Sequence, residues 1–165
     1  MNASAKNVPY QLRMNSSGFT LIELMVTIAV LAIIVGIAAP SISTQLANQR
    51  VKSTAATLVN ALKEAKAESI IRRQNVTLSY NNGSDPRVIT LTASDSKASV
   101  IATYNYAAQS TIQPSSSTTT VIFEPSKRVT TGRTFTICDS NDVASPRQIV
   151  VSAIANVTSQ IGGTC

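Results

Sequence analysis

Between Phe19 and Ala39 the chain runs for 21 residues with a single charge, Glu23. At 1.5 Å per helical residue that run is ~30 Å long, the thickness of a bilayer's hydrocarbon core. Before it, residues 1–18 are polar and carry Lys6 and Arg13 but no acid; after it come Pro40 and a polar amphipathic stretch. A basic, acid-free flank keeps its side of a span in the cytoplasm. The pattern therefore predicts a single pass with the N-terminal side cytoplasmic.

Glu23 is the exception that needs a reason. An ionised side chain within a membrane costs on the order of 3 kcal/mol, less near the end of the span, and it usually has a partner and a function. The apolar run contains no base. If the chain were cut between Gly18 and Phe19, the new amine of Phe19 would lie four residues before Glu23, on the same helical face. The cut would create the missing cation, for its own Glu23 or for that of a neighbouring chain.

These residues, Gly18-Phe19-Thr20-Leu21-Ile22-Glu23 and the unbroken apolar run after them, resemble the processing site of type IV pilins and of the pseudopilins of type II secretion. The resemblance implies cleavage after Gly18 by a prepilin peptidase, N-methylation of Phe19, and a role for Glu23, the fifth mature residue, in guiding assembly. An ordinary secretory signal has a core of about 7–15 apolar residues with a small-residue cut site after it. Here the run is longer, carries an acid near its start, and follows Ala38 and Ala39 with Pro40. A plain single-span anchor fits the length but leaves Glu23 unexplained.

Without the 18-residue leader, 147 residues remain, with twelve basic against eight acidic side chains, a net charge of +4. That permits contact with nucleic acid or an anionic surface without demanding it. Charged residues make up only 13% of the chain, and Ser, Thr, Asn and Gln are plentiful, which suits an extracytoplasmic β-rich domain better than a cytoplasmic enzyme. There is no histidine, so the commonest general acid-base group and metal ligand is missing. Two cysteines without histidine do not make a zinc site. The composition points to no catalytic residue, no metal and no cofactor. The cysteines, Cys138 and Cys165, are an even count in an exported chain, which argues for one disulfide. It would close a loop of 28 residues, counting both ends, and contribute ~3.5 kcal/mol in the chain-entropy model. The alternative is a pair of free buried thiols.

The chain divides into a leader at 1–18, a transmembrane and assembly helix at 19–39, an amphipathic continuation at 40–75, and a β-rich domain at 76–165. Gly36 and Pro40 are the weak points of the helix, and a kink or local melting is expected near Pro40. Beyond it, Val51, Ala55, Leu58, Leu62 and Ala65 recur at helical spacing, with Val59 widening the stripe. Arg72 and Arg73 suit the negative end of the helix dipole, and the pattern stops by Asn75. The period then changes. Val76–Tyr80 and Val88–Thr92 flank the turn cluster 81–86 and read as a hairpin. Further strands are expected at Ser99–Tyr106, Thr119–Glu124, Arg133–Cys138, Gln148–Ser152 and Asn156–Thr158, with a low-complexity loop over Gln113–Thr120. The fold class is α+β: a long N-terminal helix packed against a C-terminal antiparallel β-sheet domain.

The second half carries a narrower resemblance. Phe123-Glu124-Pro125, Gly132-Arg133-Thr134-Phe135-Thr136-Ile137-Cys138, Arg147-Gln148-Ile149-Val150-Val151-Ser152 and the cysteine at 165 are similar to the GspH/FimT group of minor pilins and pseudopilins, which includes FimU. Some FimT proteins bind DNA through a C-terminal loop bearing Gly-Arg-x-Arg. The matching region, Ala144-Ser145-Pro146-Arg147-Gln148, keeps Arg147 but lacks the glycine and the first arginine. Lys127, Arg128, Arg133 and Arg147 are the candidate phosphate contacts. No stacking aromatics accompany them, and Phe123 and Phe135 are expected in the core; scattered surface charge is the competing reading. Asp139-Ser140-Asn141-Asp142 lacks the spacing and the glutamate of an EF-hand loop and reads as a turn.

The resemblances together imply a minor pilin, a non-enzymatic subunit in assembly or priming of a type IV pilus that serves twitching, adhesion or DNA uptake. Its partners would be major and minor pilins, the prepilin peptidase/methyltransferase and the inner membrane, with DNA as a candidate. The leader would be cytoplasmic and the β domain periplasmic until the subunit enters the fibre. Two alternatives stand beside this: a DNA-binding FimT-like pilin for natural transformation, and an H-like minor pseudopilin of type II secretion.

Overall fold

The computed structural model describes residues 18–140 and 143–165. Residues 1–17 of the leader and residues Asn141 and Asp142 of the expected Asp139–Asp142 turn lie outside them; Asp139 itself is not in a turn but is the buried last residue of a strand, Arg133–Asp139, because its carboxylate is held by Arg50. Helix α1 spans Leu21–Arg72, with Pro40 inside it. The residues up to Ala39 and those from Pro40 to Cys165 form two compact units, and each is described by itself.

Over residues 21–37 the helix is apolar on every side and exposed throughout. Leu21, Ile22, Leu24, Met25, Ile28, Leu31, Ile34 and Ile37 are all more than half exposed. A helix with no polar face belongs in lipid or among other helices rather than on the surface of a globular domain. No single unbent helix among the described residues is long and apolar enough to cross a membrane. Leu21–Ile37 and Ser41–Arg72 pass that test only as a pair, by length and composition.

In the second unit the helix is amphipathic. Ala47, Val51, Ala55, Leu58, Leu62, Ala65 and Ser69 are buried, steps of three and four that keep one stripe inward, with Ala61 widening it. After Arg72 the chain turns through Arg73, which takes a left-handed conformation (φ 54°) and closes the helix as a C-terminal cap does.

Two antiparallel sheets receive the stripe. The first has five strands in the order β3-β2-β1-β5-β6: β1 (Val76–Asn81), β2 (Arg87–Ala93), β3 (Val100–Tyr106), β5 (Thr120–Glu124) and β6 (Arg128–Val129). The second has four in the order β4-β7-β8-β9: β4 (Ser110–Pro114), β7 (Arg133–Asp139), β8 (Arg147–Val151) and β9 (Val157–Ile161). Alternation decides the inward faces: Val76, Leu78 and Tyr80 on β1, Ile89 and Leu91 on β2, Phe135 and Ile137 on β7, Ile149 and Val151 on β8 are buried. They join the helix stripe in one hydrophobic cluster. Each large apolar side chain buried there contributes ~1.5–3 kcal/mol.

The expected hairpin forms in register, Val76 opposite Ala93 and Asn81 opposite Val88. Three expectations change. Residues 110–114 are strand β4, so only Ser115–Thr119 remain outside strands in the low-complexity stretch; Ile112 supplies the reason, being buried against the core. Arg128–Val129 add a short strand, and the last strand runs Val157–Ile161 rather than ending at Thr158.

Polar tethers fasten the helix along its buried side. Asn48 Oδ1 accepts the Ser145 amide at 2.8 Å, Arg50 grips Asp139, Tyr104 donates its hydroxyl to Glu64, Lys66 Nζ donates to the Ala155 carbonyl at 2.8 Å, and Ser69 Oγ donates to the Glu124 carbonyl at 3.3 Å. The sheets are stitched to each other by Asn82. Its amide exchanges two hydrogen bonds with the Ile112 backbone, Nδ2 to the carbonyl at 2.9 Å and the amide N–H to Oδ1 at 3.0 Å, and the Tyr106 hydroxyl donates to the same Oδ1 at 2.7 Å.

Candidate functional site

The start of α1 brings together Gly18, Phe19, Thr20 and Glu23. Residues 18–20 are non-helical and exposed, and the helix begins at Leu21. Thr20 caps it. Its Oγ1 accepts the Glu23 amide at 3.3 Å, and its carbonyl accepts the Leu24 amide at 3.1 Å. Thr20-x-x-Glu23 is the spacing of a capping box, in which the acid three residues after the cap also faces the positive end of the helix dipole. The sequence reading gave Glu23 its place but missed the cap; the Thr-x-x-Glu spacing was its signal. Nothing crowds Gly18: a Cβ there would meet no atom within 4 Å. Packing among the described residues therefore does not require glycine at that position.

Cys138 and Cys165 form a disulfide with a Cα–Cα separation of 5.8 Å. Among the described residues there is no free cysteine. Cys138 lies on the face of β7 opposite Phe135 and Ile137, with Thr134 and Thr136. The tail after β9 therefore crosses the outer face of the four-stranded sheet to reach it. Gly162 and Gly163 make this possible with φ of 144° and 97°, and the Gly162 amide donates to the Pro146 carbonyl at 3.0 Å. Gly163 sits against Thr136 so closely that a Cβ would come to 2.6 Å of its Cγ2. On the inner side of the same strand end, Asp139 is held by Arg50 through two hydrogen bonds, Nε–Oδ2 at 2.8 Å and Nη2–Oδ1 at 2.9 Å. The carboxylate hydrogen bond holds the Arg50 guanidinium above its ordinary pKa.

The four cations expected to meet phosphate do not share one face. Lys127 and Arg128 belong to the β5–β6 turn of the five-stranded sheet, Lys127 with a φ of 63°. Arg133 opens β7 and donates to the Ser116 hydroxyl. Arg147 opens β8 opposite Ile137, whereas Arg133 is opposite Val151. Four residues of β7 therefore separate the two arginines, ~13 Å at strand rise. Arg147 gains a cationic neighbour the sequence reading did not single out, Lys52 of α1. Both line a groove of about 310 Å³ with Gln45, Asn48, Gln49, Ser145 and Ile161, and a second of about 270 Å³ with Ala55, Ala56, Val59, Asn60 and Ser159. Ninety-five positions separate Lys52 from Arg147, so no local pattern links them.

Three tyrosines are perturbed away from these sites, Tyr106 upward by its burial. Burial, aided by the nearby Tyr106, pushes Tyr80 up to about 12. The hydrogen bond to the Glu64 carboxylate raises Tyr104 to about 12. Among the described residues no group of acids or cysteines is placed to hold a metal ion.

Residues 54–155 match the family described as type II transport protein GspH, and residues 13–39 match the prokaryotic N-terminal methylation motif. No curated protein sequence matches significantly. Among solved structures the fold is similar to the Pseudomonas aeruginosa type IV minor pilin FimU, at 20% identity and a TM-score of 0.56, over 66% of this chain and 91% of that one. It is also similar to the minor pseudopilin EpsH of the Vibrio cholerae type II secretion system, at 12% identity and a TM-score of 0.54, over 70% of this chain and 99% of that one.

Proposed function

The chain belongs to the GspH family, whose members are pilin-like subunits rather than enzymes, and from that premise we propose that it is a minor pilin, cut after Gly18, methylated on Phe19 and assembled into a type IV pilus. The observation that carries the reading is the junction at the head of α1. An exposed, non-helical Gly18–Phe19 bond stands directly before a capped helix whose apolar surface is exposed over residues 21–37. A peptidase needs an accessible, unwound bond. The glycine, which no packing among the described residues demands, suits recognition by such an enzyme. The methylation motif and the apolar N-terminal helix are marks of a membrane-anchored pilin.

The cut supplies an amine next to a carboxylate. In a low-dielectric surround a lone charge is costly, so Glu23 drives each subunit towards a register in which its carboxylate meets a Phe19 amine. Mass spectrometry of the protein recovered from cells tests the first step: the expected terminus is N-methylated Phe19, and an intact leader or a different terminus refutes it. Glu23→Ala tests the second. It should leave membrane insertion intact and impair incorporation into fibres; normal incorporation refutes the register mechanism.

The family description, type II transport protein, favours a second reading, a minor pseudopilin of type II secretion with the same chemistry in a different machine. Neighbouring genes decide between them: pilus genes support the first reading, secretion genes the second.

A further inference from the structure

A sheet in water must deal with its edges, because an edge strand offers unpaired amides and carbonyls to any passing chain. Three of the four edges here are blunted. β4 is covered at Ile112 by the side-chain amide of Asn82. β6 is two residues long and gives its Val129 amide to the Ala153 carbonyl. β3 is bulged in its pairing with β2 between Leu91 and Thr92. β9 has none of these devices. Its five residues, Val157-Thr158-Ser159-Gln160-Ile161, include no charge and no proline, and Ile161 is 71% exposed.

The register says which groups are free. Ser152 takes the Asn156 carbonyl and Gly162 takes the Pro146 carbonyl, and the pairs between them alternate. Thr158 and Gln160 therefore turn their backbone groups towards β8, while Val157, Ser159 and Ile161 turn theirs outward. No hydrogen bond among the described residues uses those outward groups. The side chains of Ser159 and Ile161 are on the helix side of the sheet, where they line the grooves that also hold Lys52 and Arg147. The described lining of those grooves contains no acid.

We propose that the β9 edge and the Lys52–Arg147 groove form one docking site, which takes an extended segment of another protein as a fifth strand of this sheet and an acidic side chain of that segment in the groove. Strand addition supplies backbone hydrogen bonds, and pockets beneath alternate residues supply selectivity. The added strand would run beside Ser159, and its helix-facing side chains would descend between the two cations. A second copy of this chain fits poorly, because antiparallel pairing of two β9 edges would set one cationic groove against another. The leader fits no better, with Lys6 and Arg13 and no acid. Nucleic acid is disfavoured too. The grooves offer two cations and no stacking aromatic, whereas the outward amides match a peptide backbone. The site stands independently of processing at Gly18 and of the choice between pilus and secretion machinery.

The test uses the full chain in detergent micelles and a fluorescent eight-residue peptide of alternating valine and threonine with one central glutamate. A glutamine peptide and a single-stranded oligonucleotide serve as comparisons. The glutamate peptide should bind, and the glutamine peptide should bind about tenfold more weakly. Ser159→Pro removes an outward amide without touching the bonds to β8; it should abolish binding while leaving the melting temperature unchanged. Lys52→Glu should reverse the preference towards a lysine peptide. No binding of the glutamate peptide at about 1 mM, or equal binding by Ser159→Pro, overturns the proposal. Tighter binding of the oligonucleotide that survives Ser159→Pro overturns it in favour of a nucleic-acid groove.

Discussion

Arg50 of the helix and Asp139 at the end of β7 meet through two parallel hydrogen bonds, 2.8 and 2.9 Å, with the Asp139 side chain fully buried. Asp139 directly follows Cys138, so one strand end is held from both sides. The ion pair ties it to α1 across the core face, and the disulfide ties it to the tail across the outer face.

Breaking a buried pair is costly because it strands a charge, although replacing both partners with apolar groups often is not. Arg50→Met should therefore lower the melting temperature by roughly 10 °C. Arg50→Met with Asp139→Leu should recover most of that loss. Scanning calorimetry distinguishes this from two additive losses, which would mean that the pair does not act as a unit.

Cys165→Ser releases the tail and should cost ~3.5 kcal/mol in the chain-entropy account, read as a lower urea midpoint that added reductant does not lower further. Gly163→Ala, with the disulfide intact, should also destabilise, since its Cβ would come to 2.6 Å of Thr136 Cγ2 at a φ of 97°. Thr136→Ala should restore part of that loss by removing the clash and leaving the backbone strain.

The raised tyrosines predict an alkaline limb. In the unfolded chain they titrate near 10, whereas the folded chain holds Tyr80 and Tyr104 at about 12. The stability they contribute is fully present below pH ~10 and is lost as pH rises through ~12, because the unfolded state releases its protons first. Tyr80→Phe should flatten that limb. It should not weaken the protein at neutral pH, since the buried Tyr80 hydroxyl has no hydrogen-bond partner among the described residues. Urea melts from pH 7 to 11 check both halves of the statement.

Thr20→Val keeps the shape but removes the oxygen that caps α1. The loss should be ~1 kcal/mol of helix stability, seen in micelles as faster hydrogen exchange at the Glu23 amide. Thr20→Ser should behave as the parent does.

How far the sequence could be read depends on the range over which its signals act. The helix stripe from Val51 to Ala65 and the 76–92 hairpin follow from local periodicity, and the structure has both. Strand β4 was hidden because Gln113-Pro114-Ser115-Ser116 resembles a loop, while the residue that decides the matter, Ile112, is a strand member only because a core on another element receives it. The division into two sheets was also invisible, since Asn82 acts on a backbone thirty residues away. The disulfide was legible from a count of two. The groove was not, because Lys52 and Arg147 become neighbours only through the fold. The Thr20 cap is legible locally, from its spacing to Glu23.

The five polar anchors on the amphipathic part of α1, from Asn48 to Ser69, are spread over ~30 Å of helix. A force drawn along that axis meets them side by side, so they resist in shear and share the tension. A force peeling the β layers from one end would instead meet them singly. The seam between helix and sheets thus resists a lengthwise pull better than a peeling one.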